Sequence, residues 1–225
     1  MSKNKRPKPS KREVNSLKED TSTIEKGTTV LIVDEFGELG NRLTRKSRNF
    51  GFAISVTDDP VSFGKVTKKN RDRDPGIEKK AYMDSTKGRM EIIKEISDLG
   101  VVTRVYYVDK DNPPFGWNDE NKQSKNFGRL FHHSIKDALP KKGKVMVIVD
   151  RHSAHKKVNE FLKSQSNDKR KVSGDTYDSA SGPYSDLLQT QDYVAYAASA
   201  AVEYGNRSYS DRLKMSFKKF LRRDK

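Results

Sequence analysis

The chain has 225 residues, no cysteine, and 46 Lys and Arg against 31 Asp and Glu, for a net charge of +15. That length holds one large domain or two small ones. The lack of cysteine excludes disulfides, thiolate zinc sites and thiol nucleophiles, and permits a reducing cytoplasm. The positive excess attracts polyanions, nucleic acid foremost, although an anionic membrane surface or adaptation to cell salt would also use it.

Apolar residues make up 32% of the chain and charged residues 34%, so part of it is expected outside any core. Residues 1–26 are basic, contain proline and are rich in Ser and Thr, and predict a largely disordered tail that serves as a solubilising segment or a nucleic-acid arm. Residues 1–7 lack the apolar stretch of a secretory signal, and no run approaches the ~20 apolar residues of a membrane span. A soluble, cytoplasmic protein is the expectation.

Val30, Leu31, Ile32 and Val33 form an apolar run, three of the four β-branched, which predicts a strand buried on both faces and ending on Asp34 and Glu35. Gly37 and Gly40 mark a turn, and residues 49–56 predict a second strand. A third is expected over 61–67 or 76–83, between which the pattern does not choose. Ser85 or Thr86 caps a helix through Leu99 with Gly100 as its stop. Residues 101–108 then form a strand that runs into Asp109.

After a polar loop over 109–125, Phe127, Leu130, Phe131, Ile135 and Leu139 share one face of a helix over 126–139. Residues 144–150 repeat the opening pattern, an apolar strand closed by Asp150. A helix from Ser153, a short strand near 176–178 and a helix over 186–203 ended by Gly205 follow. Residues 210–223 predict a basic amphipathic helix with Leu213, Phe217, Phe220 and Leu221 on its apolar side, either docked on the domain or in contact with nucleic acid. A mixed α/β sheet flanked by helices fits this order, with one domain over 27–205 and the basic helix over 206–225.

Three apolar strands therefore end on an acid: Asp34, Asp109 and Asp150. Parallel strands bring their C-terminal ends to one edge, where ligand sites of α/β sheets lie. Carboxylates that share a crevice stay ionised only around a cation, and oxygen ligands suit Mg²⁺ or Mn²⁺ better than zinc. On the helix over 186–203, Leu188, Asp192, Ala195 and Ser199 share a face, so Asp192 needs a partner there: a metal with the strand-end acids, or an Arg or Lys.

The succession of Val33-Asp34-Glu35-Phe36-Gly37, Glu78 and Lys80, Val147-Ile148-Val149-Asp150-Arg151, Asp178-Ser179 and Leu188-Gln189-Thr190-Gln191-Asp192-Tyr193-Val194-Ala195 resembles the proteins grouped as domain of unknown function 3800. Members of that family are similar to the ribonuclease H superfamily, whose fold is a mixed five-stranded sheet flanked by helices. The resemblance spans roughly residues 28–205. It implies a metal-dependent nuclease-like site with Asp34, Glu78, Asp150 and Asp192 as ligands and catalytic groups. Glu35 would assist, and Asp109 competes with Asp150 for the strand-end role. Two-metal hydrolysis of a phosphodiester would be the chemistry, with Lys79, Lys80 and Arg151 holding the nucleic-acid backbone. Two positions depart from the family pattern: Phe36 stands where serine is usual, and Gln191 where alanine is usual.

Other readings carry less. Residues 31–35 also look like a Walker B strand, but no Gly-x-x-x-x-Gly-Lys-Ser/Thr loop occurs. His132, His133, His152 and His155 lack a metal-ligand spacing, although His152 or His155 could serve as a proton shuttle near Asp150. Asp109 to Glu120 begins like a calcium loop, yet Pro114 occupies the position where the sharp turn needs glycine. Trp117 pins that loop or stacks on a base. A non-catalytic nucleic-acid-binding module on the same fold is the alternative to the nuclease.

Overall fold

The computed structural model describes residues 21, 23–39, 47–71, 80–113, 117, 122–150, 155–165, 172–179, 182 and 184–220. Its elements in chain order are β1 (Thr28–Gly37), β2 (Asn49–Thr57), α1 (Pro60–Arg71), a 3₁₀ turn (Ala81–Met83), α2 (Thr86–Asp98), β3 (Val102–Asp109) and α3 (Gln123–Ala138). They continue with β4 (Lys144–Asp150), α4 (His155–Gln165), β5 (Val172–Tyr177), α5 (Ser185–Tyr204), α6 (Ser208–Arg212) and β6 (Ser216–Lys219). The fold is α/β, a six-stranded mixed sheet flanked by helices, with strand order β5-β4-β1-β2-β3-β6. None of the described helices is long and apolar enough to cross a membrane.

Strand β1 lies parallel to β4 and antiparallel to β2; β3 is antiparallel to β2 and parallel to β6, and β4 is parallel to β5. Only β2 runs against the rest, so the C-terminal ends of β1, β3, β4, β5 and β6 share one edge. Alternation along β1 sends Val30, Ile32 and Phe36 into a core layer with α2 and α5, and Leu31 and Val33 into a layer with α3 and α4. With both faces covered, the run from Val30 to Val33 is fully buried. The second layer is rich in rings: Phe52 meets Phe127 edge-on at 5.1 Å between centroids and Phe131 at 5.6 Å, and Phe50 lies 6.3 Å from Trp117. Trp117 is thus a buried pin for its loop.

Several expected elements came out differently. No strand forms over 61–67: Asp59 Oδ1 accepts the Ser62 N–H at 3.0 Å and Pro60 opens the helix, so α1 begins there. An acceptor followed by proline at the first helical position is a start signal that outweighs the β-branched content of the segment. Of the other option, 80–83 forms the 3₁₀ turn and its entry, and 76–79 lies outside the described residues. The sheet has six strands instead of five because β6 adds one beyond β1–β5.

Over 210–220 the expected basic helix is replaced by the end of the short α6 and by β6, and 221–223, with Leu221, lie outside the described residues. Lys214, at φ +50°, turns the chain out of the helix, and residues 216–219 then pair with β3. The outer edge of β3 carries unpaired backbone groups whose satisfaction overrides a modest helical preference. At the other end, residues 23–25, expected in the tail, contact the domain: the Thr23 and Tyr184 hydroxyls are 3.1 Å apart and Glu25 pairs with Lys144.

Because Phe52 is wholly buried among three other rings, Phe52→Ala should lower unfolding stability by about 3–5 kcal/mol. A shift of the urea midpoint at unchanged slope is the expected reading; a midpoint within error of the parent's would show that this layer does not hold the sheet together.

Candidate functional site

The two ends of β1 and β4 are in register, Val33 opposite Val149, so the next residues on each strand are Asp34 and Asp150. Adjacent strands lie ~5 Å apart, which makes these two acids neighbours. Both belong to the face that α5 covers, since Asp34 follows Val30 and Ile32, and Asp150 follows Met146 and Ile148. From α5 itself comes Asp192, whose Oδ2 accepts the Ala81 N–H at 2.5 Å. Asp34 Oδ1 accepts the Glu35 N–H at 2.8 Å.

Asp34 is 8% exposed. Burial pushes its carboxyl well above the ordinary range, and the charges of Glu35, Asp150 and Asp192 push it further, with Lys80 pulling the other way. Glu35 is raised from its ordinary 4.5 to about 8 by burial and by Asp150, against Lys80 and a backbone hydrogen bond. The sequence-predicted acids Asp34, Asp150, Asp192 and Glu35 therefore share one electrostatic neighbourhood with Lys80. Strand alternation puts Glu35 on the opposite face of β1 from Asp34.

Asp109 is not part of this group. It ends β3, two strand spacings from β1, and Asp34 aligns through Ala53 with Val105, four residues short of Asp109. Asp109 instead takes a hydrogen bond from Lys219 Nζ at 2.9 Å, with Arg48 Nε 3.7 Å away. Burial works against its charge, but the Lys219 and Asp111 N–H hydrogen bonds and the Lys219 and Arg48 charges outweigh it and hold the carboxyl below its ordinary range. It is therefore no rival to Asp150. Glu78, Lys79, Arg151 and His152 lie outside the described residues, as does the side chain of His155. His132 and His133 serve packing: the first lies 4.5 Å from the Phe161 ring, the second 5.3 Å from Phe220.

The acids are held by a supporting frame that the sequence pattern did not reveal. Arg89 Nη1 donates to the carbonyls of Ala81 at 3.1 Å and Asp84 at 2.5 Å, and the Tyr193 hydroxyl donates to Asp84 Oδ2 at 2.5 Å. The turn that presents the Ala81 N–H to Asp192 is thus tied to both α2 and α5. Gln191 Nε2 donates to the Ala53 carbonyl at 2.9 Å and anchors α5 to β2 one residue before Asp192. Phe36 fills the space over Gly51, where a Cβ would come within 2.6 Å of its ring. Gly37, at φ +75°, lets the chain leave β1 where a Cβ would be 2.1 Å from the Asn49 carbonyl oxygen.

Among the described residues no group of three or more His, Asp or Glu side chains is arranged to hold a metal ion. The donors nevertheless fit a hard divalent cation in kind: they are carboxylate oxygens, and the buried Asp34 feels unfavourable like charges that a cation would relieve. No protein-family model and no curated protein matches the chain.

In chelator, the raised acids make the folded state bind protons that the unfolded chain has released. Their contribution to stability is greatest below pH ~4.5 and declines as pH rises through about 8. Melting temperature should therefore fall across that window. Asp34→Asn should flatten the slope, and Mn²⁺ should raise melting at pH 8 in the parent chain and not in the variant. A flat profile in the parent would remove the electrostatic case for a cation.

Proposed function

We propose that this protein is a divalent-metal-dependent phosphodiester hydrolase, a nuclease related to the domain of unknown function 3800 family and built on a ribonuclease-H-like fold. The observation that carries the reading is a buried aspartate at the end of the central strand, with two further aspartates supplied by β4 and α5. Setting β6 aside leaves β1–β5 as a five-stranded mixed sheet flanked by helices, which supports the fold assignment.

Asp34, Asp150 and Asp192 would hold Mg²⁺ or Mn²⁺, with Glu78 as a further ligand. When bound, the metal supplies neutralisation of the phosphate charge and activation of a water for attack. The chain's own groups orient the acids: the Glu35 N–H fixes Asp34 Oδ1, and the Ala81 N–H fixes Asp192 Oδ2. Lys80, whose charge acts on both Asp34 and Glu35, would take a phosphate oxygen. Lys79 and Arg151 would extend that cationic rim along the backbone of a nucleic acid, the polyanion that a net charge of +15 favours.

Purified protein with Mn²⁺ should cleave at least one of single-stranded RNA, single-stranded DNA or an RNA–DNA hybrid, and chelator should stop it. Asp34→Asn and Asp192→Asn should each lower the rate about 100-fold or more, since loss of even an outer-shell partner of a metal ligand commonly lowers activity 10–100-fold. Cleavage that is indifferent to Asp34→Asn would falsify the assignment.

The absence of a finished acid group among the described residues favours a second reading, a non-catalytic nucleic-acid-binding module on the same fold. Binding that persists in chelator, weakens steeply with salt and does not respond to Asp150→Asn, with no cleavage under any metal, is what that reading requires.

A further inference from the structure

The 3₁₀ turn beside the acids holds two large side chains out of the protein. Its backbone is immobilised on three sides: the Ala81 N–H on Asp192, the Ala81 and Asp84 carbonyls on Arg89, and the Asp84 carboxylate on Tyr193. Between these anchors Tyr82 is 67% exposed and Met83 63% exposed. The exposed Leu99 and Val102, by contrast, flank the N-terminal end of β3 at the opposite edge of the sheet. Single exposed apolar side chains are ordinary. An adjacent aromatic and thioether on a clamped turn, one residue from an N–H that orients a candidate ligand, are a preformed apolar step at the rim of the site.

The surroundings define what the step would take. Lys80 precedes it and acts electrostatically on the acids, and the exposed Lys87 follows in the first turn of α2. A ligand that presents a flat apolar face to Tyr82 and a phosphate to the cationic and acidic rim is a nucleotide within a strand. In a duplex the base faces are already stacked on their neighbours, whereas an unpaired base offers one freely. We propose that Tyr82 and Met83 form a stacking ledge for a base of single-stranded nucleic acid whose backbone crosses the Asp34 edge. This rests on the nucleic-acid part of the function proposed above and adds strand selectivity to it.

Anisotropy of a short labelled single strand, and of a blunt duplex of the same sequence, would test the ledge in the full chain carrying Asp34→Asn, which leaves the strands uncut. Adding Tyr82→Ala should weaken single-strand binding about tenfold, the scale of one lost base stack. Tyr82→Phe should retain it within about twofold, because the ring face remains. Tyr204→Ala, which removes an exposed tyrosine at the end of α5, should change nothing, and duplex affinity should be indifferent to all three. Single-strand affinity unchanged by Tyr82→Ala, or duplex affinity lowered equally, overturns the ledge. Cleavage that depends on Asp34 while binding ignores Tyr82 overturns the ledge alone. Tyr82-dependent binding without Mn²⁺-dependent cleavage overturns the hydrolase and leaves the ledge standing, and failure to bind any nucleic acid overturns both.

Discussion

The charge on Asp34 is the constraint around which the structure is arranged. It stands beyond a fully buried strand run and is itself buried, with the charges of Glu35, Asp150 and Asp192 acting on it. Everything that makes β1 a good strand, its β-branched run and its cover of helices on both faces, makes the acid at its end harder to ionise. Such a site is stable in one of two ways: with protons held above their ordinary pKa, or with a cation among the oxygens. The raised carboxyls of Asp34 and Glu35 point to the first in the absence of a cation, and the second is what a phosphodiester hydrolase would exploit.

The supporting residues maintain that arrangement instead of relieving it. Asp192 accepts the Ala81 N–H, from a turn that Arg89 and Tyr193 tie to neighbouring helices. Gln191 fixes the helix against β2 at the adjacent position. Its amide is a longer device than the alanine usual in the resembling family, and it reaches a strand carbonyl that alanine could not. Phe36 and Gly51 are a similar pair, a ring that occupies space only because the residue across the ladder has no side chain. Phe36 and Gln191 thus each have a packing account in this fold.

Asp109 shows how far the surroundings decide the use of an identical signal. It too follows an apolar strand and lies at the C-terminal edge, yet β6 delivers Lys219 to it, and with Arg48 nearby it becomes one member of an ion-paired edge. The lysines of β6 have a further consequence. The strand that closes the sheet on that side carries Lys218, paired with Asp137, and Lys219, so its outer edge is unattractive to another strand.

What the sequence determined by itself was local. The alternation and β-branching of β1 and β4, the Ser85 cap and Gly100 stop of α2, and the Gly205 stop of α5 depend on neighbours along the chain, and these elements appear close to where the pattern put them. Asp34, Asp150 and Asp192 were legible for the same reason, because strand ends and helix faces can be counted. Tertiary structure decided the rest. The fate of Asp109 depended on a strand more than 100 residues away. The C-terminal segment became a strand because β3 had an open edge to satisfy, and the anchoring of the 80–84 turn depended on α2 and α5 meeting. Periodicity records which face of an element is buried; it carries no record of which other element supplies the partner, and that is settled only when the chain packs.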